Sequence, residues 1–209
     1  MRVHGDKVIR RRKGALELNS YQDGREQIEQ DFYYLCGYCG KNGNVLHQKF
    51  HLDHFVPKSL DKSREKDYYN LVLACPRCNL SKSDKWPTGD NTQSHNGESG
   101  FVDPASAEFD EHLERNDKGY VIGKTPVGKS MCNMLHLDIR RTDLYWNAAQ
   151  LRIQLKELEK LFQEDKLTER QKDIYIETNM IFNEYIYDNI VGVHAIRHGF
   201  FCDYDPGFL

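Results

Sequence analysis

The apolar residues before the first cysteines follow a helical pattern. Ile28, Phe32 and Leu35 recur at intervals of four and three residues, which predicts a helix over residues 23–35. The chain then reaches Val45–Val56, which is rich in β-branched and aromatic residues and ends at a proline, as a strand or hairpin does. We therefore expect a helix that packs on a small β-structure.

A second strand and a short helix follow a charged loop over residues 58–69. Leu71–Ala74 is a short apolar run, which predicts a buried strand, and Pro76 stands where a helix would begin. Asn79, Lys82 and Lys85 are spaced along what we expect to be the exposed side of that helix. The pattern predicts two antiparallel strands, a loop and a helix.

Residues 87–100 are rich in Gly, Asn and Ser, so they are the best candidate for a boundary between domains. A short amphipathic piece over 105–113, a turn over 116–119 and a strand over 120–122 come next. Residues 123–130, GKTPVGKS, satisfy the phosphate-binding pattern G-x-x-x-x-G-K-[ST]. Only three strand-like residues precede them and no second βαβ unit follows, so we interpret them as a turn between a strand and a helix.

The C-terminal third is predicted to form a helical hairpin. Apolar residues at intervals of four and three define one stripe: Leu144, Ala148, Leu151, Leu155, Leu158 and Phe162. Thr168 and Gln171 match a capping box, which starts a second helix with Ile174, Ile181 and Tyr185 on one face. Such a stripe is more often packed within a chain than against a partner. A partner protein or self-association through these helices is the alternative.

Composition and charge narrow the class of protein. The 209 residues are 39% hydrophobic and 29% charged, and no apolar run approaches a membrane span, so we expect a cytoplasmic protein with no membrane partner. The net charge of −3 is unevenly distributed, since residues 1–90 carry +4 and residues 91–209 carry −7. A positive first half favours a polyanionic substrate there. The basic run Arg10–Lys13 is either a phosphate-contacting arm or a solvated tail.

Four of the six cysteines form two Cys-x-x-Cys pairs, Cys36/Cys39 and Cys75/Cys78. A reducing compartment makes paired cysteines metal ligands rather than disulfides, and four thiolates in two such pairs are typical of a tetrahedral structural Zn²⁺ site. The remaining two are expected to be small buried hydrophobes: Cys132 and Cys202.

The polar residues between and after these pairs resemble the HNH endonuclease family, of bacterial or phage type. Its pattern is a D-H or H-H pair, an Asn before a hydrophobic strand, and C-x-x-C-N or C-x-x-C-H followed by Lys. Here Asp53-His54, Asn70 and the stretch CPRCNLSK, which ends at Lys82, match it. The resemblance covers about 50 of 209 residues and implies a ββα-metal fold.

The resemblance also implies a role for each matching residue. His54 is the expected general base, Asn70 orients it through a hydrogen bond, and Lys82 neutralises phosphate charge. Asp53 and Asn79 are the expected ligands of one catalytic cation, Mg²⁺ first and Mn²⁺ second, because both offer oxygen donors. A further ligand in some relatives falls near Ser83, and a hydroxyl there is a poor ligand, so two protein ligands are expected.

One geometric problem accompanies these roles. Successive strand residues point to opposite faces, yet Asp53 and His54 are needed in one site. The strand must therefore end, bulge or twist at this dipeptide. His51 shares the nominal face of Asp53 and is a possible spare ligand.

Together these patterns predict an α+β protein. Its expected parts are a basic arm (1–22), an HNH core with a four-cysteine zinc site (23–86), a linker with a small β/turn extension (87–130), and a helical region (131–209). The expected activity is metal-dependent DNA hydrolysis with little sequence preference. The alternatives are a catalytically silent zinc module that docks nucleic acid or protein, and a nuclease subunit directed by a partner protein.

Overall fold

A computed structural model describes residues 1–15, 17–44 and 49–187. The chain divides into two units, Met1–Tyr145 and Trp146–Leu209. Its helices and strands are, in chain order, α1 (Arg25–Asp31), β1 (His51–His54), β2 (Leu71–Ala74), α2 (Pro76–Lys82), α3 (Phe109–His112), β3 (Leu113–Arg115), β4 (Val121–Gly123), α4 (Pro126–Met134), α5 (Thr142–Gln163) and α6 (Glu169–Ile186). The expected mixture of helices with small antiparallel sheets is confirmed.

The centre of the first unit is the pair β1–β2 followed by α2. The strands are antiparallel, with Asp53 opposite Val72 and His54 opposite Leu71. All four residues of β2 are buried, as its apolar sequence predicts. Pro76 is at the start of α2, where a missing N–H costs no hydrogen bond. Of the predicted strand Val45–Val56, residues 45–48 lie outside the described residues.

The predicted helix before the first cysteine is present but shorter. A 3₁₀ turn over Tyr21–Gly24 leads into α1, which ends at Asp31 instead of residue 35. Tyr33 and Tyr34 both have positive φ, so the chain turns away from the helix there. The predicted apolar face is nevertheless buried, because Ile28 and Phe32 are fully covered.

The N-terminal segment is not a solvated tail, because Arg11 and Arg12 are paired with carboxylates. Arg11 makes a two-pronged contact with Asp103, at 2.8 and 3.0 Å, and also donates to the carbonyl of Leu71. Arg12 donates to Asp31 through its backbone N at 2.6 Å and through Nε at 2.9 Å. These carboxylates already neutralise two of the four basic side chains expected to contact phosphate.

Residues 87–100 do not separate two domains. They lie inside the first unit. The aromatic residues that flank them, Trp86 and Phe101, stack with ring centroids 6.2 Å apart. Phe101 and Val102 then belong to the core of that unit. The division at Tyr145/Trp146 falls within α5, where no cluster of turn residues marks it.

GKTPVGKS begins at Gly123, the last residue of β4, and its residues 126–130 already belong to α4, so the predicted turn is confined to Lys124 and Thr125. β4 pairs antiparallel with β3, and the part of the chain that the structure describes contains no parallel sheet around the turn. The glycines of GKTPVGKS permit close packing, since a Cβ on Gly123 would collide with the backbone of α4 and one on Gly128 with the carbonyl of His112. Thr125 caps α4 by accepting a hydrogen bond from Gly128 N.

Two long helices follow, as the apolar stripe and the capping box predict. Thr168 caps α6 through the expected reciprocal bonds with Gln171. Ala148 and Leu155 of the predicted stripe are buried, whereas Phe162 is 56% exposed, so the stripe is only partly covered. Ile174 and Ile181, on the predicted face of α6, are 43% and 47% exposed. Among the described residues, none of the helices has the length and apolar character that crossing a bilayer demands. Cys202 and the C-terminal aromatic residues lie outside the described range.

Candidate active site

The four paired cysteines come together in the first unit. All four are buried, and their sulfur atoms lie within 4.8 Å of one another. The sulfurs of Cys39 and Cys75, one from each pair, are 3.9 Å apart. Two thiolates bound to one Zn²⁺ at about 2.3 Å in a tetrahedron would be separated by about 3.8 Å. The cluster therefore has the dimensions of a site that holds a metal such as zinc.

A guanidinium faces this cluster. Arg140 donates to Cys78 Sγ at 3.2 Å and approaches Cys75 Sγ at 3.8 Å. Burial raises the pKa of the Cys36 thiol, so positive charge is needed before all four sulfurs can ionise. Arg140 supplies part of that charge, and a divalent cation held by the four sulfurs would supply the rest. Nothing in the sequence next to the cysteine pairs indicates Arg140, because it follows Cys78 by 62 residues.

Three of the predicted site residues open onto one cavity of about 330 Å³. Asp53 and His54 reach it from the end of β1, and Asn79 reaches it from α2. β1 ends at His54 and does not bulge or continue there, so the neighbouring residues Asp53 and His54 can serve the same site. His51 and Ser83 also line this cavity.

The orientation of His54 is fixed by a backbone carbonyl. Its Nε2 lies 2.9 Å from the carbonyl oxygen of Glu65, and a carbonyl can only accept, so Nε2 carries the proton and Nδ1 is the basic nitrogen. The edge of Tyr21 packs on the ring at a centroid distance of 5.1 Å. Burial lowers the pKa of His54, which favours the neutral form that accepts a proton.

The prediction that Asn70 forms a hydrogen bond with His54 is wrong. Asn70 is fully buried, and its side chain accepts from Val56 N at 2.8 Å and donates to the carbonyls of Val56 and Arg64. It therefore closes the loop that leads from β1 to β2. Because Glu65 belongs to that loop, Asn70 positions His54 only indirectly, through the backbone.

Lys82 is not on the exposed side of α2. Its side chain is 0% exposed, and Nζ donates to the carbonyl of His54 at 2.8 Å and lies 3.3 Å from Asp53 Oδ2. The expected contact with phosphate is therefore not available to it. The reason is that α2 packs over the end of β1, which brings this face of the helix against the strand.

Asp53 is held by two partners on the same oxygen. Tyr38 donates to Oδ2 at 2.6 Å, and Lys82 approaches that atom as well, so Oδ1 is the oxygen that can face a cation in the cavity. Burial raises the pKa of Asp53, while the charge of Lys82 and the Tyr38 hydroxyl oppose that rise. Tyr38 lies between the first two cysteines and was not indicated by the sequence pattern.

Residues 36–85 match the model of the HNH endonuclease family. This stretch begins at Cys36, contains β1, β2 and α2, and includes all four clustered cysteines. This stretch is thus similar to an HNH endonuclease domain, and β1, β2 and α2 agree with the ββα-metal fold of that family. HNH domains are generally nucleases that use a divalent metal. A search of curated proteins found no match to the chain.

Proposed function

We propose that this protein is a metal-dependent DNA endonuclease in which His54 is the general base. The observation that supports this best is the shared cavity of Asp53, His54 and Asn79, together with the hydrogen bond that leaves His54 Nδ1 as the basic nitrogen. A docking module that does not cleave would have no need for a histidine held in one tautomer beside two oxygen donors.

His54 Nδ1 takes the proton of the attacking water. A neutral imidazole suits this step, and a positioned general base contributes roughly 10²- to 10⁴-fold to rate. The Glu65 carbonyl keeps the ring from rotating, so Nδ1 remains directed to one place during the reaction. The edge contact with Tyr21 further limits the movement of the ring.

Asp53 and Asn79 are the residues that would hold the catalytic cation. Both residues line the cavity and offer an oxygen donor, and Oδ1 is the Asp53 oxygen that Tyr38 and Lys82 leave for an ion. Such a pair suits a hard ion that keeps most of its water ligands, Mg²⁺ or Mn²⁺. When bound, the cation stabilises the charge on the phosphate and on the departing 3′ oxygen. Lys82 keeps Asp53 in place from beneath the site.

The cysteine cluster is proposed to bind Zn²⁺ for structural reasons. Four sulfurs fill all positions of a tetrahedral ion, so none is open for a water molecule or a substrate. Zinc would join the segment before β1 to the start of α2, and these two segments carry Tyr38 and Asn79. The metal would thereby hold the two sides of the cavity together.

DNA as the substrate agrees with the positive charge of residues 1–90, although Arg11 and Arg12 are already paired with carboxylates. Lys58 lines the cavity, is 46% exposed and is paired with Glu65 at 3.3 Å. We propose that it exchanges this partner for the phosphate and so takes the role expected of Lys82. Cytoplasmic location and association through the C-terminal helices stay predictions.

Cleavage of supercoiled plasmid tests the proposal. The purified chain should nick the plasmid with Mg²⁺ or Mn²⁺, stop in EDTA and recover when Mg²⁺ alone is restored. Asp53→Asn and Asn79→Ala should require more cation for the same rate, and excess Mn²⁺ should partly rescue them. Lys66→Met, an exposed change outside the cavity, is the control. Failure to cleave single- or double-stranded DNA with any divalent cation would refute the proposal.

A further inference from the structure

A second cluster of metal-binding side chains lies away from the cavity and from the cysteines. His95, Glu108 and His112 each offer one donor atom, and these atoms lie within 4.8 Å of one another. His95 belongs to the loop over residues 87–100, Glu108 directly precedes α3, and His112 ends that helix. None of the three belongs to the stretch that matches the HNH family.

The backbone at His95 is fixed by a tight turn. His95 and Gly100 form an isolated antiparallel β-bridge, and Phe101 N donates to the carbonyl of Ser94 at 2.8 Å. Gly100 has a φ of +138°, and a Cβ there would collide with Ser94 and His95, so only glycine permits this approach. The imidazole is therefore presented from a rigid support.

His112 is fixed equally well, and its hydrogen bond leaves a nitrogen for a metal. Its Nδ1 lies 2.6 Å from Thr125 Oγ1, while that hydroxyl oxygen already accepts from Gly128 N. When Nδ1–H donates to Thr125, the lone pair of Nε2 is free. Metal-binding histidines almost always donate their other ring N–H in this manner.

The His95 ring lacks the partners that a structural histidine has. Its Nδ1 is covered by protein and has no hydrogen-bond partner among the residues the structure describes. Its Nε2 is 3.7 Å from a carboxylate oxygen of Glu108, which is beyond hydrogen-bonding distance. That separation is close to the roughly 3.3 Å between two N or O ligands of a tetrahedral ion bound at about 2.0–2.1 Å.

We propose that His95, Glu108 and His112 form a second zinc site, which fastens the loop over residues 87–100 to α3. Two imidazoles and one carboxylate are a donor set that suits Zn²⁺ and leaves its fourth position to water. The site replaces the long contact between His95 Nε2 and the Glu108 carboxylate by metal–ligand bonds. It does not depend on the nuclease activity proposed above.

Metal counting on the full-length protein tests this site. After saturation with Zn²⁺ and removal of free ion, the wild-type chain should retain two equivalents. His95→Ala, His112→Ala and Glu108→Gln should each retain one, whereas Glu111→Gln, an exposed neighbour of the same type on α3, should retain two. Glu108 is 61% exposed, so its replacement leaves the fold intact.

Cobalt(II) in place of zinc distinguishes the two sites, because only the cysteine site gives a thiolate-to-metal charge-transfer band. That band should persist at full intensity in all three variants. Zn²⁺ should also raise the Tm of the wild type above that of the variants, since ligand binding to the folded state stabilises it. A wild-type chain that retains one equivalent, or a second equivalent that survives in any of the three variants, overturns the site.

Discussion

Replacing Lys82 by methionine separates the buried role of this lysine from a role in binding phosphate. The substitution keeps much of the volume of the side chain but removes the charge beside Asp53 and the hydrogen bond to the carbonyl of His54. Asp53 would then be a buried carboxylate with the Tyr38 hydroxyl as its remaining neighbour on Oδ2. We expect the main effect to be on stability.

The magnitude follows from the burial of the pair. Removing one partner of a buried ion pair costs about 3–5 kcal/mol. The lower end applies because Tyr38 remains and the side chain of Asp53 is 9% exposed, so water in the cavity can solvate the carboxylate in part. We expect the free energy of unfolding to fall by about 3 kcal/mol and Tm by about 10 °C.

Urea unfolding of the zinc-loaded full chain measures this loss. Trp86 stacks on Phe101 in the first unit, so its fluorescence in a Trp146→Phe background reports on the unit that contains Lys82. Lys66→Met removes an exposed charge from the same region and should change stability by less than about 0.5 kcal/mol. An unchanged midpoint for Lys82→Met, with weaker DNA binding, would refute the buried role and restore the phosphate contact.

Three further predictions concern residues outside the ion pair. Arg140→Ala should weaken zinc retention about 10- to 100-fold in a chelator competition, because a donor to two sulfurs is lost. Arg140→Lys should recover part of that retention. Equal retention by the wild type and both variants would contradict this. Asn70→Ala should cost about 3 kcal/mol in urea unfolding, since Val56 N–H is left buried without a partner; a loss below about 1 kcal/mol would argue against it. Burial tends to raise the pKa of Asp31, but hydrogen bonds from Arg12 and Tyr68 outweigh it and lower the pKa. The ionised carboxylate therefore stabilises the fold above the unfolded pKa, and this stabilisation is lost as pH falls through the folded pKa. The stability deficit of Asp31→Asn, about 1–2 kcal/mol at pH 7, should shrink towards pH 3, and a deficit that does not change with pH would exclude this origin.

Local sequence was sufficient to predict the elements whose conformation depends on only a few neighbouring residues. The apolar run Leu71–Ala74 and the proline at position 76 predicted a strand and a helix that the structure contains. The four cysteines and the cavity-lining residues Asp53, His54 and Asn79 came from motif order, which depends on spacing along the chain.

Contacts between distant residues were not predictable in this way. Lys82 looks like a solvent-facing lysine in the helical pattern, and only the packing of α2 on β1 buries it. The partner of His54 is a backbone carbonyl, which any residue at position 65 would provide. The identity of that residue therefore does not indicate the hydrogen bond. Arg11 and its partner Asp103 are 92 residues apart, which hides their pairing from any local pattern.

The rate of plasmid cleavage by His54→Ala tests the central claim most directly. The wild type and the variant are compared under single-turnover conditions across a range of Mn²⁺ concentrations, with zinc content and Tm measured on the same samples. The account predicts a loss of roughly 10²- to 10⁴-fold in cleavage rate that no Mn²⁺ concentration restores, with zinc and Tm unchanged. Cleavage at near the wild-type rate would contradict the role of His54 as general base, and His51→Ala would then show whether His51, which lines the same cavity, supplies the base.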